Sequence, residues 1–523
     1  MRSYDVIVIG GGHNGLVAAT LIARTGRRTV LLEAFDQLGG AARTVEIAPG
    51  FKVSEVAGLV THLGSKAMDA LGLEAHGLKL AATNLETIVL DGRNAPLGVR
   101  NGAINGEVTA SDRKGWSELQ RRLQRFAKTL RPFLSESPPR LKGPVRQSAL
   151  PLGRLGLAVR GLGKTDMRDF MRMVLMNVAD AVDEEVQDNR LQALAAFDAV
   201  LGTHLGPRSP GSLLSYLYRL VGAAGGDDGG IALPQGGMGA VIAAIEGAAM
   251  ATGVEIRTRT PVHHILIEQD RVMGVVLPGG EVLKAPAIVS AADPATTLMT
   301  LVGPEHLDTD TVRRLKAIRA KGNVARLHLA LEDLPEFTGL DRTQLGQRLV
   351  LADGLDAIER AFDCAKYGAF SPEPAMEVVI PSLADPSAAP EGKHVLSANL
   401  QFAPYALKQG WESGKPALCE VAVDMLERHA PGIRRLVKHA GLLTPLDIER
   451  RCRMPGGHWH HGEITIDQLF WLRPFQSAAQ YRSPIAGLWL ASAGSHPGGN
   501  VMGLAGANAA RAVIAGEGQS WQP

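Results

Sequence analysis

Residues 5–34 limit what this chain can fold into more than any other stretch. They read DVIVIG, then GGHNG, then LVAATLIARTG, then RRTVLLEA. A short β-branched run, a glycine-dense turn, a helical run and a second apolar run make one β-α-β unit with parallel strands. Gly10, Gly12 and Gly15 match G-x-G-x-x-G at the end of the first strand. There the first glycine allows the tight turn, the second lets backbone approach a pyrophosphate, and the third lets helix and strand pack. The helix N-terminus adds unpaired N–H groups and positive potential. Glu33 closes the second strand, where a carboxylate accepts hydrogen bonds from a ribose. The unit predicts a bound dinucleotide.

NAD and FAD share this fingerprint, so the choice rests on what surrounds it. LGGAART (38–44) is a second glycine turn in which Arg43 and Thr44 offer a cation and a hydroxyl to phosphate or flavin oxygens. Near the other end, GLWLASAG, SHPGGNVMG and LAGANAARAVIAG (487–516) read as strand, glycine loop and helix, and a helix N-terminus suits the anionic edge of a reduced flavin. Two glycine-rich strand-to-helix turns so distant in sequence fit an extended FAD better than a nicotinamide cofactor. The nucleotide-binding domain is therefore expected to be discontinuous.

Composition narrows the partners. With 55 Lys and Arg against 53 Asp and Glu, the formal charge of +2 argues against a chain built to neutralise a nucleic-acid backbone. Cys364, Cys419 and Cys452 are far apart and odd in number, which fits a reducing compartment rather than a disulfide framework. The N-terminus runs straight into a strand, leaving no room for a signal peptide, and no apolar run is long enough to span a bilayer. A cytoplasmic location is expected. Between 113 and 172 the chain carries fifteen Lys and Arg against four Asp and Glu, with Trp116, Leu119, Leu123, Phe126, Leu130 and Phe133 at helical spacing. That segment reads as a solvated helix over core, or as a cover touching the inner face of a membrane.

Taken together, VIGGGHNGLVAA with Glu33, LGGAART, ALPQGGMGAVIAAI, the run from PVHHI through GGEV to VSAADP, and LWLASAGSHPGGNVMGLAGANAA resemble the flavin-containing amine oxidase and phytoene desaturase superfamily, and within it the carotenoid desaturase/isomerase branch. IPSLADPSAAPEGKHVLS, QFAPY and GGHWHHGEITIDQLFWLRP narrow the resemblance to the group named for a pyridine nucleotide-disulphide oxidoreductase domain. The resemblance implies an α/β fold: a discontinuous Rossmann-type FAD-binding domain (1–75, 226–299 and 451–523) with an inserted α+β substrate domain (76–225 and 300–450). It implies FAD pyrophosphate at Gly10, Gly12 and Gly15, ribose at Glu33, further flavin or phosphate contacts at Gly40 and Arg43, and adenine at the Val262 backbone. Gly494, His496, Gly499, Val501 and Met502 would lie beside the flavin.

The chemistry expected is hydride removal from a C–H bond of an apolar, isoprenoid- or carotenoid-like small molecule, by desaturation or double-bond isomerisation. Such chemistry needs no protein nucleophile. Loss of the neighbouring proton needs a base, for which His461 and Glu463 are the candidates. His458, His460 and His461 are not read as a metal site, because adjacent residues of an extended stretch point to opposite faces. A flavin amine oxidase, favoured by an aromatic cage, and a low-turnover flavoprotein with an assembly or membrane role are the alternatives. No nucleic acid is expected as a partner, and a homo-oligomer stays open.

Overall fold

The computed structural model describes residues 2–63, 66–138, 153–154, 156–224, 227–228 and 230–516. Parts of the basic stretch (139–152 and 155), of the glycine joint after 224 (225, 226 and 229) and of the expected nucleotide domain (64–65 and 517–523) lie outside the described residues.

Five strands, β1 (Val6–Ile9), β2 (Thr29–Leu32), β3 (Glu255–Arg257), β4 (Ala287–Ser290) and β5 (Leu488–Leu490), form an all-parallel sheet in the order β3-β2-β1-β4-β5. Every residue of β1, β2, β4 and β5 is buried, which is why these strands read as unbroken apolar runs rather than alternating ones. Helix α1 (His13–Ala23) packs against α2 (Met238–Ala251) and α3 (Leu504–Ala515). The first and last segments of the chain therefore share one layer. Between β3 and β4 the chain makes an antiparallel excursion, His264–Glu268, Arg271–Val276 and Val282–Lys284.

A second, eight-stranded sheet comes from residues 87–105 and 324–443. Its order is Val437–Leu443, Val324–Leu331, His394–Gln401, Met376–Val379, Arg348–Leu351, Thr87–Leu90, Leu97–Arg100 and Ala103–Asn105. Only the pair Arg348–Leu351 with Thr87–Leu90 is parallel. Side chains alternate across a strand. One face presents Leu327, Leu329, Leu349, Leu351, Leu396 and Leu400 to Leu418, Ala422 and Met425 of the helix Trp411–His429. The other presents Arg326, His328, Arg348, Glu377, Ser397 and Asn399, all buried, toward the interior shared with the first sheet.

The predicted amphipathic helix spans Ala110–Ser135, capped by Thr109, whose side chain accepts the Asp112 N–H at 3.0 Å. Trp116, Leu119, Leu123, Phe126 and Leu130 are buried as their spacing requires. At the last turn Leu134 is buried and Phe133 only partly so, and the Phe133 carbonyl lies 2.9 Å from His496 Nε2. No described helix is long and apolar enough to cross a membrane.

Candidate functional site

Between the two sheets lies a cavity of about 320 Å³ whose wall takes residues from both. At one end stand Gly10, Gly12, Gly15, Glu33, Gly40 and Val262; at the other, Leu201, Arg219, Glu377 and Asn399.

The nucleotide end is built from backbone. A methyl on Gly15 would collide with the Gly10 carbonyl, so only glycine lets α1 sit this close to the turn. Gly10 has φ +98°, a conformation that excludes most side chains. On the side where Gly12 would carry a Cβ there is nothing within 4 Å, leaving the cleft open there. No side chain caps α1, so its first N–H groups stay available to an anion. The Glu33 carboxylate accepts the N–H groups of Gly11 at 2.7 Å and Phe35 at 2.9 Å, and each oxygen keeps a lone pair for a ribose hydroxyl. Bare glycine backbone, an uncapped helix start and a fixed carboxylate fit the pyrophosphate and ribose of FAD.

Two residues expected here face elsewhere. Arg43 does not line the cavity: its Nε and Nη2 donate to Glu55 Oε2 at 3.1 and 2.8 Å, and Nη2 reaches the Arg451 carbonyl at 2.8 Å. The buried Glu55 carboxylate draws the guanidinium inward. Thr44 Oγ1 donates to the Gly236 carbonyl at 3.0 Å and accepts the Gly239 N–H at 2.9 Å, so it fixes the start of α2.

The terminal loop behaves similarly. Ala493, Asn500 and Val501 line the cavity; Gly494, His496, Gly499 and Met502 do not. His496 is buried with Nε2 2.9 Å from the Phe133 carbonyl and its ring 5.8 Å from that of Phe470. Gly499 is a glycine because a methyl there would collide with the His460 ring.

The histidine segment is a turn, not an extended stretch. His461 has φ +54°, and as a result both His460 and His461 reach the cavity wall. Burial, reinforced by the Arg473 charge, lowers the His461 pKa to about 3, so its imidazole is neutral. Its Nδ1 is buried without a hydrogen-bond partner among the described residues. Glu463 lies outside the cavity wall. Its carboxylate accepts the His204 N–H at 3.1 Å and sits 3.3 Å from His458 Nε2, anchoring the 202–206 loop. Cys452 lines the cavity, but burial pushes its thiol up to about 11, leaving no thiolate.

Sequence reasoning missed two features. Arg473, 2% exposed, has no carboxylate partner among the described residues; it donates to the carbonyls of Glu463 at 2.9 Å, Gln468 at 3.0 Å, Ala493 at 2.8 Å and His460. It ties the histidine turn to the strand-to-helix loop after β5. The second is the polar sheet face bearing Arg326, Arg348, Glu377 and Asn399. Its signal was present as RLHL and LSANLQ, which alternate polar with apolar residues, and as the single charged residue set into each of the apolar runs RLVL and MEVV.

Known proteins match this arrangement. The family model of flavin containing amine oxidoreductases matches residues 15–514. The chain belongs to that family and is an FAD-dependent oxidoreductase with the amine oxidase-type fold. It is 35% identical, over 98% of its length and 93% of the relative's, to pyridine nucleotide-disulfide oxidoreductase domain-containing protein 2 of Rattus norvegicus. A lycopene-forming phytoene desaturase of Pseudescherichia vulneris is 25% identical over 95% of this chain and 96% of its own. An engineered putrescine oxidase superimposes with a TM-score of 0.62 over 98% of this chain and 99% of its own at 16% identity, a likeness of fold alone.

Proposed function

We propose that this protein removes a hydride from a C–H bond of a predominantly apolar, isoprenoid- or carotenoid-like molecule, yielding a desaturated or double-bond-isomerised product. One observation carries the reading. The nucleotide end of the cavity runs on, without a partition, into walls made by Val56, Leu59, Leu201, Met454, Trp459 and Val501. A relative named phytoene desaturase supports it.

FAD, when bound, supplies the two-electron acceptor for the hydride. The residues of the chain do the rest. Gly10, Gly12, Gly15, Glu33, Gly40 and Val262 would hold the dinucleotide, with Val501 and Ala493 at the flavin end. The apolar walls exclude water and orient the substrate. The neutral imidazole of His461, at the cavity wall, takes up the proton lost from the neighbouring carbon, and burial together with the Arg473 charge keeps the ring unprotonated beforehand.

Oxidation of a C–N bond is less well supported. Among the described residues Phe35 and Trp459 are the only Phe, Tyr or Trp side chains in the wall, and Phe35 stacks on Arg43 at the nucleotide end, so no pair of these rings cages an amine. Contact with a membrane surface at the exposed Leu157 and Met171 of the basic stretch belongs to the same proposal.

The test is anaerobic mixing of the yellow holoprotein with phytoene in detergent, or with putrescine. Loss of the visible flavin absorbance with a product two hydrogens lighter than phytoene, or a double-bond isomer of phytoene with the flavin left oxidised, is the expected result. Bleaching by putrescine with release of ammonia, or phytoene recovered unchanged, would refute it.

A further inference from the structure

The far wall of the cavity is charged, and its charges do not balance. Arg348, wholly buried, donates Nε to Glu377 Oε1 at 2.6 Å, Nη2 to Asp198 Oδ1 at 2.6 Å and Nη1 to Thr87 Oγ1 at 3.1 Å. The second Glu377 oxygen accepts Asn399 Nδ2 at 2.7 Å, and Asn399 Oδ1 accepts Arg326 Nη1 at 3.0 Å. Arg219, from the helix Ser212–Leu220, places Nε 3.0 Å from the second Asp198 oxygen. Three guanidinium groups thus face two carboxylates. Both Glu377 oxygens are engaged, and Asp198 is shared between two arginines.

The surplus positive charge has a definite place. Arg326 is 2% exposed, its Nε has no hydrogen-bond partner among the described residues, and its Nη2 packs against Gly58, where a methyl would collide with it. Arg219, Glu377 and Asn399 line the cavity itself, and the terminal nitrogens of Arg219 make no hydrogen bond to any described residue. An unbalanced charge out of water is costly unless a counter-ion joins it, and a guanidinium fork matches a carboxylate in geometry as well as charge. A hydrocarbon would leave the cluster unpaired. An ammonium would be repelled.

We infer that this wall is an anion subsite and that the substrate is a carboxylate, an apolar chain whose acid group docks on Arg219 while its body lies along the apolar walls. The inference rests on the reading that this cavity is the substrate chamber of a hydride-removing enzyme, and it refines the substrate from hydrocarbon to organic acid.

The probes are decanoate, decanol and decylamine, titrated into the FAD-loaded protein by calorimetry. Wild type should bind decanoate roughly tenfold tighter than decanol or decylamine, the effect of one charge-assisted pair. In Arg219→Gln the affinity for decanoate should fall to that for decanol, with decanol binding unchanged, and Arg219→Lys should recover most of the preference. Equal affinities for decanoate and decanol in wild type, which needs no variant to fold, would overturn the inference. So would a preference that survives in Arg219→Gln. Flavin bleaching by a hydrocarbon without a decanoate preference removes this inference and leaves the proposed hydride chemistry. A decanoate preference without bleaching by any unsaturated hydrocarbon or acid keeps the anion subsite but removes the hydride chemistry, and with it the assignment of the anion as substrate.

Discussion

Gly506, near the start of the last helix, donates its N–H to Oδ1 of Asn14, at the start of the first, at 3.3 Å. A methyl group on Gly506 would collide with the Asn14 carbonyl oxygen. The contact presses α3 onto α1 and sets the Asn500–Val501 loop beside the glycine turn, where His13 bonds to the Asn500 main chain. Gly506→Ala is expected to cost about 1–3 kcal/mol through overpacking and to lower the FAD carried per chain. Urea unfolding and the ratio of flavin to protein absorbance measure both. Wild-type values in each would show that the junction does not hold the cradle.

Glu33 and Arg43 make a contrasting pair. Glu33→Ala removes the acceptor for one buried and one half-buried N–H group and for the ribose, so FAD affinity should drop about tenfold or more. Arg43→Met should instead destabilise the fold by about 3 kcal/mol, because it breaks a buried ion pair, while the Kd for FAD stays within about threefold of wild type. Fluorescence titration of apoprotein with FAD separates the two. Equal loss of FAD affinity in both variants would return Arg43 to the cofactor.

Arg473→Met leaves the carbonyls of the histidine turn without their shared donor. A loss of about 3 kcal/mol or more is expected. Removal of the positive charge should also let the His461 pKa climb from about 3 toward the ordinary histidine value. Proton NMR titration of the histidine ring signals reads this directly. A His461 signal that titrates as in wild type would mean that burial alone sets its state.

Six histidines, four buried and two half-buried, give stability a steep acid limb. His13, His62 and His496 are lowered to about 4, His328 and His461 to about 3, and His460 well below its usual value, with burial the main cause in each. Their folded pKa values lie below the unfolded one of about 6.5, so the unfolded chain binds more protons throughout the interval between. Stability is therefore complete above about pH 6.5 and falls as pH drops toward 4, each histidine adding a slope of about 1.4 kcal/mol per pH unit. Urea midpoints at pH 7.5, 6.5, 5.5 and 4.5 check the prediction, which a flat profile over the last three would contradict.

Much of the nucleotide end was readable from residue order. Gly10, Gly12, Gly15, Glu33, Gly40 and Val262 all line the cavity, because turn glycines and a strand-end carboxylate depend on local backbone geometry. Arg43, Thr44, Glu463 and His496 carried suitable chemistry but turned toward Glu55, Gly236, His204 and Phe133. Those partners lie between 12 and 363 residues away in sequence, and spacing does not reveal them. The histidine turn was misjudged for a related reason: the positive φ of His461 is imposed on a segment whose carbonyls converge on Arg473, which the local sequence does not announce.

The order of residues alone determined the β-α-β unit, the cofactor type and the discontinuity of the nucleotide fold, since periodicity and glycine placement act over a few residues. The tertiary structure decided which charged side chains reach the cavity. That choice follows from which buried opposite charge or bare carbonyl each one meets, and long-range strand pairing sets those meetings, as where Arg326, Asn399 and Glu377 fall on one rung of the second sheet.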